Sequence, residues 1–183
     1  MVQKLMTQAG LGFAALDRIA VTTGPGTFTG QRVGLAFARA LGVALKKPVI
    51  GVTTLDAMAA EALEKMPDAA WAIAAADAKR GELYFGARAQ GGTLTAPELI
   101  ALALLPEQVA AFMNRGRRVA LAGTAAEAIL PLLVQAGFNP ADSAVRQPDA
   151  IFVAKLAQGC SPGPPPRPLY LRAPDAKLPP GSS

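Results

Sequence analysis

The feature that most constrains this chain is an alternation near its start. Residues 18–23 read as a short buried-type strand that breaks into Gly24-Pro25-Gly26. A helix pattern follows over residues 27–45, then a second strand over 48–53, then a helix that ends near Met66, before Pro67. Strand, helix, strand, helix points to an α/β layered architecture whose two strands run parallel through a right-handed crossover. Thr54, or Thr53 with Asp56 three residues on, can cap the second of these helices. Ahead of this unit, Val2, Leu5, Met6 and Ala9 fall at helical spacing, and Gly10 supplies a stop.

The texture changes after Pro67. Residues 71–77 and 82–89 predict a hairpin around 78–81, an antiparallel start to a second lobe. A helix is expected over 106–114 with Pro106 in its first turn, and a strand over 117–123. Thr124 and Glu127 form a capping box that opens a helix to Ala136, stopped by Gly137. A last helix spans 149–158 and ends at Gly159. Eight of the sixteen prolines lie at or beyond Pro162, so the C-terminal segment must be extended. A tail lying on its own protein is the preferred reading over an SH3-type ligand.

Hydrophobic residues make up 51% of the chain, enough for a core, and aromatics only 5%, so that core is built of small side chains. Histidine is absent from the 183 residues. That removes the commonest general base, the commonest metal ligand and the serine- or cysteine-hydrolase triads from this segment. Cys160 is the single cysteine, so no internal disulfide is possible, which fits a reducing cytosol. No apolar run approaches the roughly 20 residues of a membrane span, and the first residues have no signal-peptide core. A cytoplasmic protein with no cofactor is the expectation. The net charge of +5 suits attraction to RNA or to an acidic partner. The basic residues are nevertheless spread out, the densest groups being Arg115, Arg117 and Arg118, then Arg167, Arg172 and Lys177.

The loop from Gly24 to Gly30 sits where phosphates bind, between a strand and a helix N-terminus. Its G-x-G-x-x-x-G spacing is one residue longer than the dinucleotide fingerprint, and it lacks the Lys-Ser/Thr pair of a P-loop, so it is weak as a nucleotide motif. The helix behind it says more. Gly30, Gly34, Ala38 and Gly42 recur every four residues and form a small-residue ridge. Glycine costs about 0.5–1 kcal/mol relative to alanine inside a helix, so close packing must offset it. The packed neighbour is either the chain's own sheet or a partner helix, and composition does not separate the two. Arg32 and Arg39, seven apart, share one face.

The run Gly24-Pro-Gly-Thr-Phe-Thr-Gly-Gln-Arg-Val-Gly34, followed by Pro48-Val-Ile-Gly-Val-Thr-Thr-Leu55, resembles the TsaB (YeaZ) family. Asp77-Ala-Lys-Arg-Gly-Glu-Leu-Tyr84 is similar to that family's hairpin, and Pro168-Leu-Tyr-Leu-Arg-Ala-Pro-Asp175 to its tail. The resemblance implies an actin/Hsp70-like (ASKHA) two-lobed α/β fold, with residues 1–66 as the remnant of the N-terminal lobe, 67–160 as the second lobe and 161–183 as the tail. The family's usual first strands have no counterpart here. A truncated N-lobe is therefore expected, with the strand at 18–23 left unpaired on one edge. The resemblance also implies a non-catalytic scaffold for the complex that installs threonylcarbamoyladenosine at position 37 of tRNA. Its partners would be a TsaD-type catalytic subunit and a TsaE-type ATPase, with tRNA reached indirectly and a homodimer possible in their absence. The docking elements it implies are the first helix and the helix over 27–45. Their contact residues would be Phe28, Gly30, Arg32, Gly34, Leu35, Ala38, Arg39 and Gly42, beside a loop motif of Gly24, Pro25, Gly26, Thr27 and Thr29. Two other readings are carried: a nucleotide-dependent ATPase or kinase of the same superfamily using Asp77, and a stand-alone homodimeric interaction module. A protease is disfavoured, since Gly-x-Ser-x-Gly and HExxH are both absent.

Overall fold

The computed structural model describes residues 2–92 and 95–172, and the chain builds two sheets. In the smaller one β1 (Ile19–Thr22) and β2 (Val49–Val52) run parallel, with Ile19 opposite Val49. The connection between them is α2 (Phe28–Leu45). Thr27 starts α2 from extended backbone, its hydroxyl accepting from the Gly30 N–H at 3.3 Å, and Lys46 ends it in the left-handed region. Ahead of this unit stands α1 (Val2–Gln8), stopped by Gly10 at φ 66°. All four β1 residues are half-buried, and among the described residues β1 has a strand neighbour on one side only.

Between the two sheets lies α3 (Thr54–Lys65), capped by Thr53, whose hydroxyl accepts from the Asp56 N–H at 3.0 Å. One face of α3 sets Leu55, Met58, Ala59 and Ala62 on Ala72, Ala74, Ala120 and Ala122. Another places Ala57 with Ile50 and Val52 of β2. Alanines in the strands let the helix approach closely, which is why a core poor in aromatics packs here.

The larger sheet has the order β5-β4-β3-β6-β7. Its centre is the expected hairpin of β3 (Trp71–Lys79) and β4 (Glu82–Ala89), with β6 (Arg118–Ala122) parallel to β3. Lys79, Arg80 and Gly81 all take positive φ, which makes the turn tighter than residues 78–81. Two strands were not legible from the sequence, β5 (Glu98–Ala101) and β7 (Asn139–Asp142). Both are four-residue edges, and β7 carries a proline, a residue that edges tolerate.

The second face of this sheet holds the main core, Ile73, Leu83, Phe85, Val119 and Leu121, under α4 (Leu105–Ala110) and α5 (Ala126–Gln135). The α4 helix is shorter than the expected 106–114. The α5 start is a correction: Thr124 does not cap it. The Thr124 hydroxyl instead accepts from the Asp77 N–H at 3.2 Å, and Ala125 holds the cap position with no side-chain bond.

Asp149 caps α6 (Ala150–Gln158) through the Ile151 N–H at 2.8 Å. This helix returns to the small sheet, placing Val153 and Ala157 against Ile50 and Val52. The expected 67–160 lobe therefore gives up its last helix to the first sheet. Arg18 fixes that return, its Nη1 donating to the carbonyls of Ala157, Gln158 and Cys160 at 2.9, 3.1 and 3.0 Å. Residues 161–172 then run without helix or strand along the N-terminal unit, as expected of a tail on its own protein. The Leu169 N–H donates to the Thr23 carbonyl at 2.8 Å, and Arg172 pairs with Glu82. The expected family tail beyond Arg172, with Pro174, Asp175 and Lys177, lies outside the described residues.

Candidate functional site

The glycine loop is a structural corner. Gly24 and Pro25 are buried, Gly26, Thr27 and Thr29 are exposed, and the Gly24–Pro25 peptide is cis. The Gly24 carbonyl accepts from the Thr54 N–H at 2.8 Å, tying the loop to the start of α3. The Gln31 amide lies so close over Gly24 that a Cβ there would meet its Cδ at 2.8 Å. Gly24 also sits at φ 110°, which explains glycine at this position. A cavity of about 370 Å³ opens between the loop, α2 and the tail, lined by Phe28, Gln31, Arg32, Tyr84, Tyr170 and Arg172 among others. Tyr170 closes one wall. Its ring stacks on Phe28 at 6.0 Å, and its hydroxyl accepts from the Arg32 Nε–H at 2.9 Å. The Arg32 guanidinium carbon stands 3.6 Å from the Phe28 ring centre.

The ridge along α2 is divided. Ala38 and Gly42 are buried together with Leu35, on the side that meets β1 and β2. A Cβ on Gly42 would run into the Val49 side chain and would stand 3.1 Å from the Lys47 carbonyl. Close packing on the chain's own sheet accounts for that part of the ridge, so Leu35, Ala38 and Gly42, expected as partner contacts, are covered within the chain. Gly30 is exposed and Gly34 half-buried, and a Cβ on Gly34 would meet nothing within 4 Å. Phe28, Arg32 and Arg39 are exposed.

Sequence reading missed the residues that dominate the outer side. Val33, Phe37 and Val43 are 64%, 54% and 81% exposed. Ala36, Ala40 and Ala44 stand exposed among them. Their spacing forms a second helical stripe beside the glycine ridge, and α2 is apolar on nearly every side, so the period alone does not separate the two. A helix that is apolar all round is normally buried. Here one side is covered and the other is not. Leu5 of α1 and Leu11 just after it are exposed at 63% and 53%.

Asp77 accepts from the Lys79 backbone N–H and ammonium, both at 2.7 Å. These bonds hold its carboxyl below the usual carboxylate range. It serves the hairpin turn as an ionised acceptor for Lys79.

With this geometry in hand, the likenesses to known proteins are informative. A family model described as TsaD, tRNA N6-adenosine threonylcarbamoyltransferase, matches residues 1–127. An uncharacterized protein of Mycobacterium tuberculosis is 35% identical over 172 residues, 94% of this chain and 72% of that one. The tRNA threonylcarbamoyladenosine biosynthesis protein TsaB of Escherichia coli is 40% identical over 85 residues, 46% of this chain and 36% of that protein. Among solved structures, YeaZ from Pseudomonas aeruginosa superposes with a TM-score of 0.67 at 26% identity, covering 86% of this chain and 73% of that one. An uncharacterized Pseudomonas aeruginosa protein with similarity to the peptidase YeaZ gives a TM-score of 0.72 at 28% identity, over 94% and 81% of the two chains. The chain therefore belongs to the TsaB (YeaZ) family, within the group that the TsaD model describes.

Proposed function

We propose that this chain is a non-catalytic, cytoplasmic accessory subunit in the synthesis of threonylcarbamoyladenosine on tRNA. It acts by docking a TsaD-type catalytic subunit, with a TsaE-type ATPase joining the pair. The observation that carries the reading is the outer side of α2. Three large apolar side chains, Val33, Phe37 and Val43, stand in water on one regular helix, beside an unfilled position at Gly34. Contiguous apolar surface of that kind marks a protein–protein contact, and a helix pair is the natural way to cover it. Phe28, Gly30, Arg32 and Arg39 border this face, and exposed Leu5 and Leu11 add apolar surface in the N-terminal segment. The relatives named for threonylcarbamoyladenosine biosynthesis supply the pathway.

The test is reconstitution. The chain is co-purified with the TsaD-type subunit of the same cell, and modified tRNA is measured after TsaE-type ATPase, threonylcarbamoyl donor and ATP are added. The reading expects a stable pair and modified tRNA only when this chain is present. Modification at full rate without it would sink the proposal.

A further inference from the structure

Aromatics are only 5% of this chain, and its single tryptophan is left partly open to water. Trp71 starts β3, and Arg118 starts β6 beside it, with Trp71 opposite Val119. The Trp71 ring tilts against Phe112 with centroids 4.7 Å apart, and Phe112 leans in turn on Phe85 at 6.3 Å. One side of this pair packs on the main core. The other lines a cleft of about 290 Å³ together with Asn114 and Arg117. The cleft lies at the end of the sheet away from the β3–β4 turn, and no residue of α1 or α2 contributes to it.

Positive charge gathers at the same end. From Gln108 to Ala126 the chain carries Arg115, Arg117 and Arg118 and no acid. Asp68 answers one of them, pairing with Arg118 at 2.7 Å. Among the described residues Arg115 and Arg117 have no carboxylate partner, and both are exposed. The loop that carries them is fixed on both sides. Gly116, between the two, sits at φ 77° and its N–H donates to the Gly137 carbonyl at 3.0 Å. The Ala70 N–H donates to the Arg118 carbonyl at 3.0 Å. A loop already held in this way loses little freedom when a ligand arrives. Core packing accounts for the buried sides of Trp71 and Phe112. It accounts neither for the cleft on their other side nor for two unpaired arginines at its rim.

We infer that this cleft at the start of β3 and β6 receives an unstacked base of a single-stranded RNA segment, with Arg115 and Arg117 on the phosphates beside it. The inference rests on the reading above that tRNA is the substrate of the pathway, and it adds a direct contact made by the second lobe. Aromatic faces stack any base, while arginines follow the backbone. The Asn114 amide and the Arg117 guanidinium supply hydrogen-bonding groups for base edges. The cleft is near the lower limit of small-molecule sites, about 300–1,000 Å³, which suits one base and not a duplex. A paired A-form stem keeps its bases stacked inside and has none to offer. An acidic peptide would use the two arginines and leave the rings without a role, so the rings favour RNA.

Because Trp71 is the single tryptophan, its fluorescence reports on this cleft alone. Unmodified tRNA from the same cell is titrated into the intact chain over a series of salt concentrations, with excitation at the red edge of the tryptophan band. Affinity is also read by filter retention for the chain in complex with the TsaD-type subunit. The inference expects saturable quenching of Trp71 and an affinity that falls as salt rises. Arg115→Ala with Arg117→Ala should weaken binding about tenfold and flatten the slope of log affinity on log salt by about 1.4, since each single-strand phosphate contact contributes about 0.7. Arg115→Lys with Arg117→Lys keeps both charges and should restore the slope. Lys47→Ala with Arg167→Ala removes the same charge elsewhere and should stay within about twofold of the parent. RNA bound without quenching of Trp71 overturns the inference, and so does parental affinity in a folded variant lacking Arg115 and Arg117. A polyglutamate peptide that quenches Trp71 and displaces the RNA at equal charge overturns it in favour of an acidic partner. No RNA binding by chain or complex overturns it too, and leaves the docking reading to be decided by reconstitution. The quenching series uses the unmutated chain, so it decides even if a variant fails to fold.

Discussion

Gly34 and Gly42 lie two turns apart on one helix, and the structure predicts opposite responses to the same substitution. At Gly34 a Cβ meets nothing within 4 Å. Gly34→Ala therefore gains only the helix preference of alanine, about 0.5–1 kcal/mol. At Gly42 a Cβ meets the Val49 side chain inside contact distance, and the Ile19 Cδ1 at 3.9 Å. The same propensity gain is set against overpacking, which costs about 1–3 kcal/mol. The net effect is a loss of about 0–2.5 kcal/mol, centred near 1. For a chain of this size each kcal/mol moves the thermal midpoint by about 2–4 °C, so Gly34→Ala should melt a few degrees higher and Gly42→Ala a few degrees lower. Thermal and urea melts of the two variants beside the parent decide it. A midpoint raised in both would mean that Gly42 is not held by its own sheet. A lowered midpoint in Gly34→Ala would mean that the outer side of α2 is already covered within the chain, and the docking face would lose its basis. Binding adds a second readout, since Gly34→Ala can stabilise the free chain and still weaken a partner that approaches the bare backbone.

Truncating the outer face, Val33→Ala, Phe37→Ala and Val43→Ala together, removes roughly 1 kcal/mol of recoverable burial per valine and about 1.5 for the phenylalanine, scaled to their exposure. Affinity for the TsaD-type subunit should fall about a hundredfold or more by calorimetry, with the melting midpoint unchanged or slightly raised; a collapsed midpoint refutes the assignment of these side chains to the surface. Gly123 stands at φ 93°, and a Cβ there would collide with the Ala75 carbonyl, so Gly123→Ala should cost about 2–4 kcal/mol in urea unfolding. Asp142 takes two bonds from Arg146, at 2.8 and 2.5 Å, which hold its carboxyl below the usual range. Its contribution is full above the unfolded value near 3.9 and is lost as pH falls through the lowered folded value. Stability lost on Arg146→Ala should therefore be present at pH 7, below about 1 kcal/mol for so exposed a pair, and vanish in strong acid. A loss that is equal at both pH values refutes the pairing as its cause.

The elements that the sequence displayed are those whose residues carry their own instructions. Thr27, Thr53 and Asp149 are caps that act within three residues; helices were expected to start at Thr27 and Asp149, and Thr53 was one of the two caps expected for the helix after residue 53. The β3–β4 hairpin likewise announces itself by a positive-φ turn between two apolar runs. What stayed hidden depends on distant partners. The four-residue β5 and β7 exist because β4 and β6 offer open edges, and their own residues, including Pro140, have little strand preference. Thr124 had the spacing of a cap, yet its hydroxyl was claimed by Asp77 across the sheet.

The site divides along the same line. The glycine ridge was visible as a period, but which side of α2 it faced depended on where β1 and β2 lay, and half of it proved to be packing. The outward stripe was equally periodic. It was masked because Leu35 and Ala38, which are buried, have the same character as Val33 and Phe37, which are not. In a helix apolar all round, sequence fixes the period but leaves the phase open. The charges resolve the phase: Arg39 stands exposed, and Arg32 spends its guanidinium on the Tyr170 hydroxyl and the Phe28 ring, away from the side that packs on β1 and β2. The apolar stripe bordered by those cations therefore lies on the accessible side of α2, and that phase, which the sequence alone left open, is what the docking reading rests on.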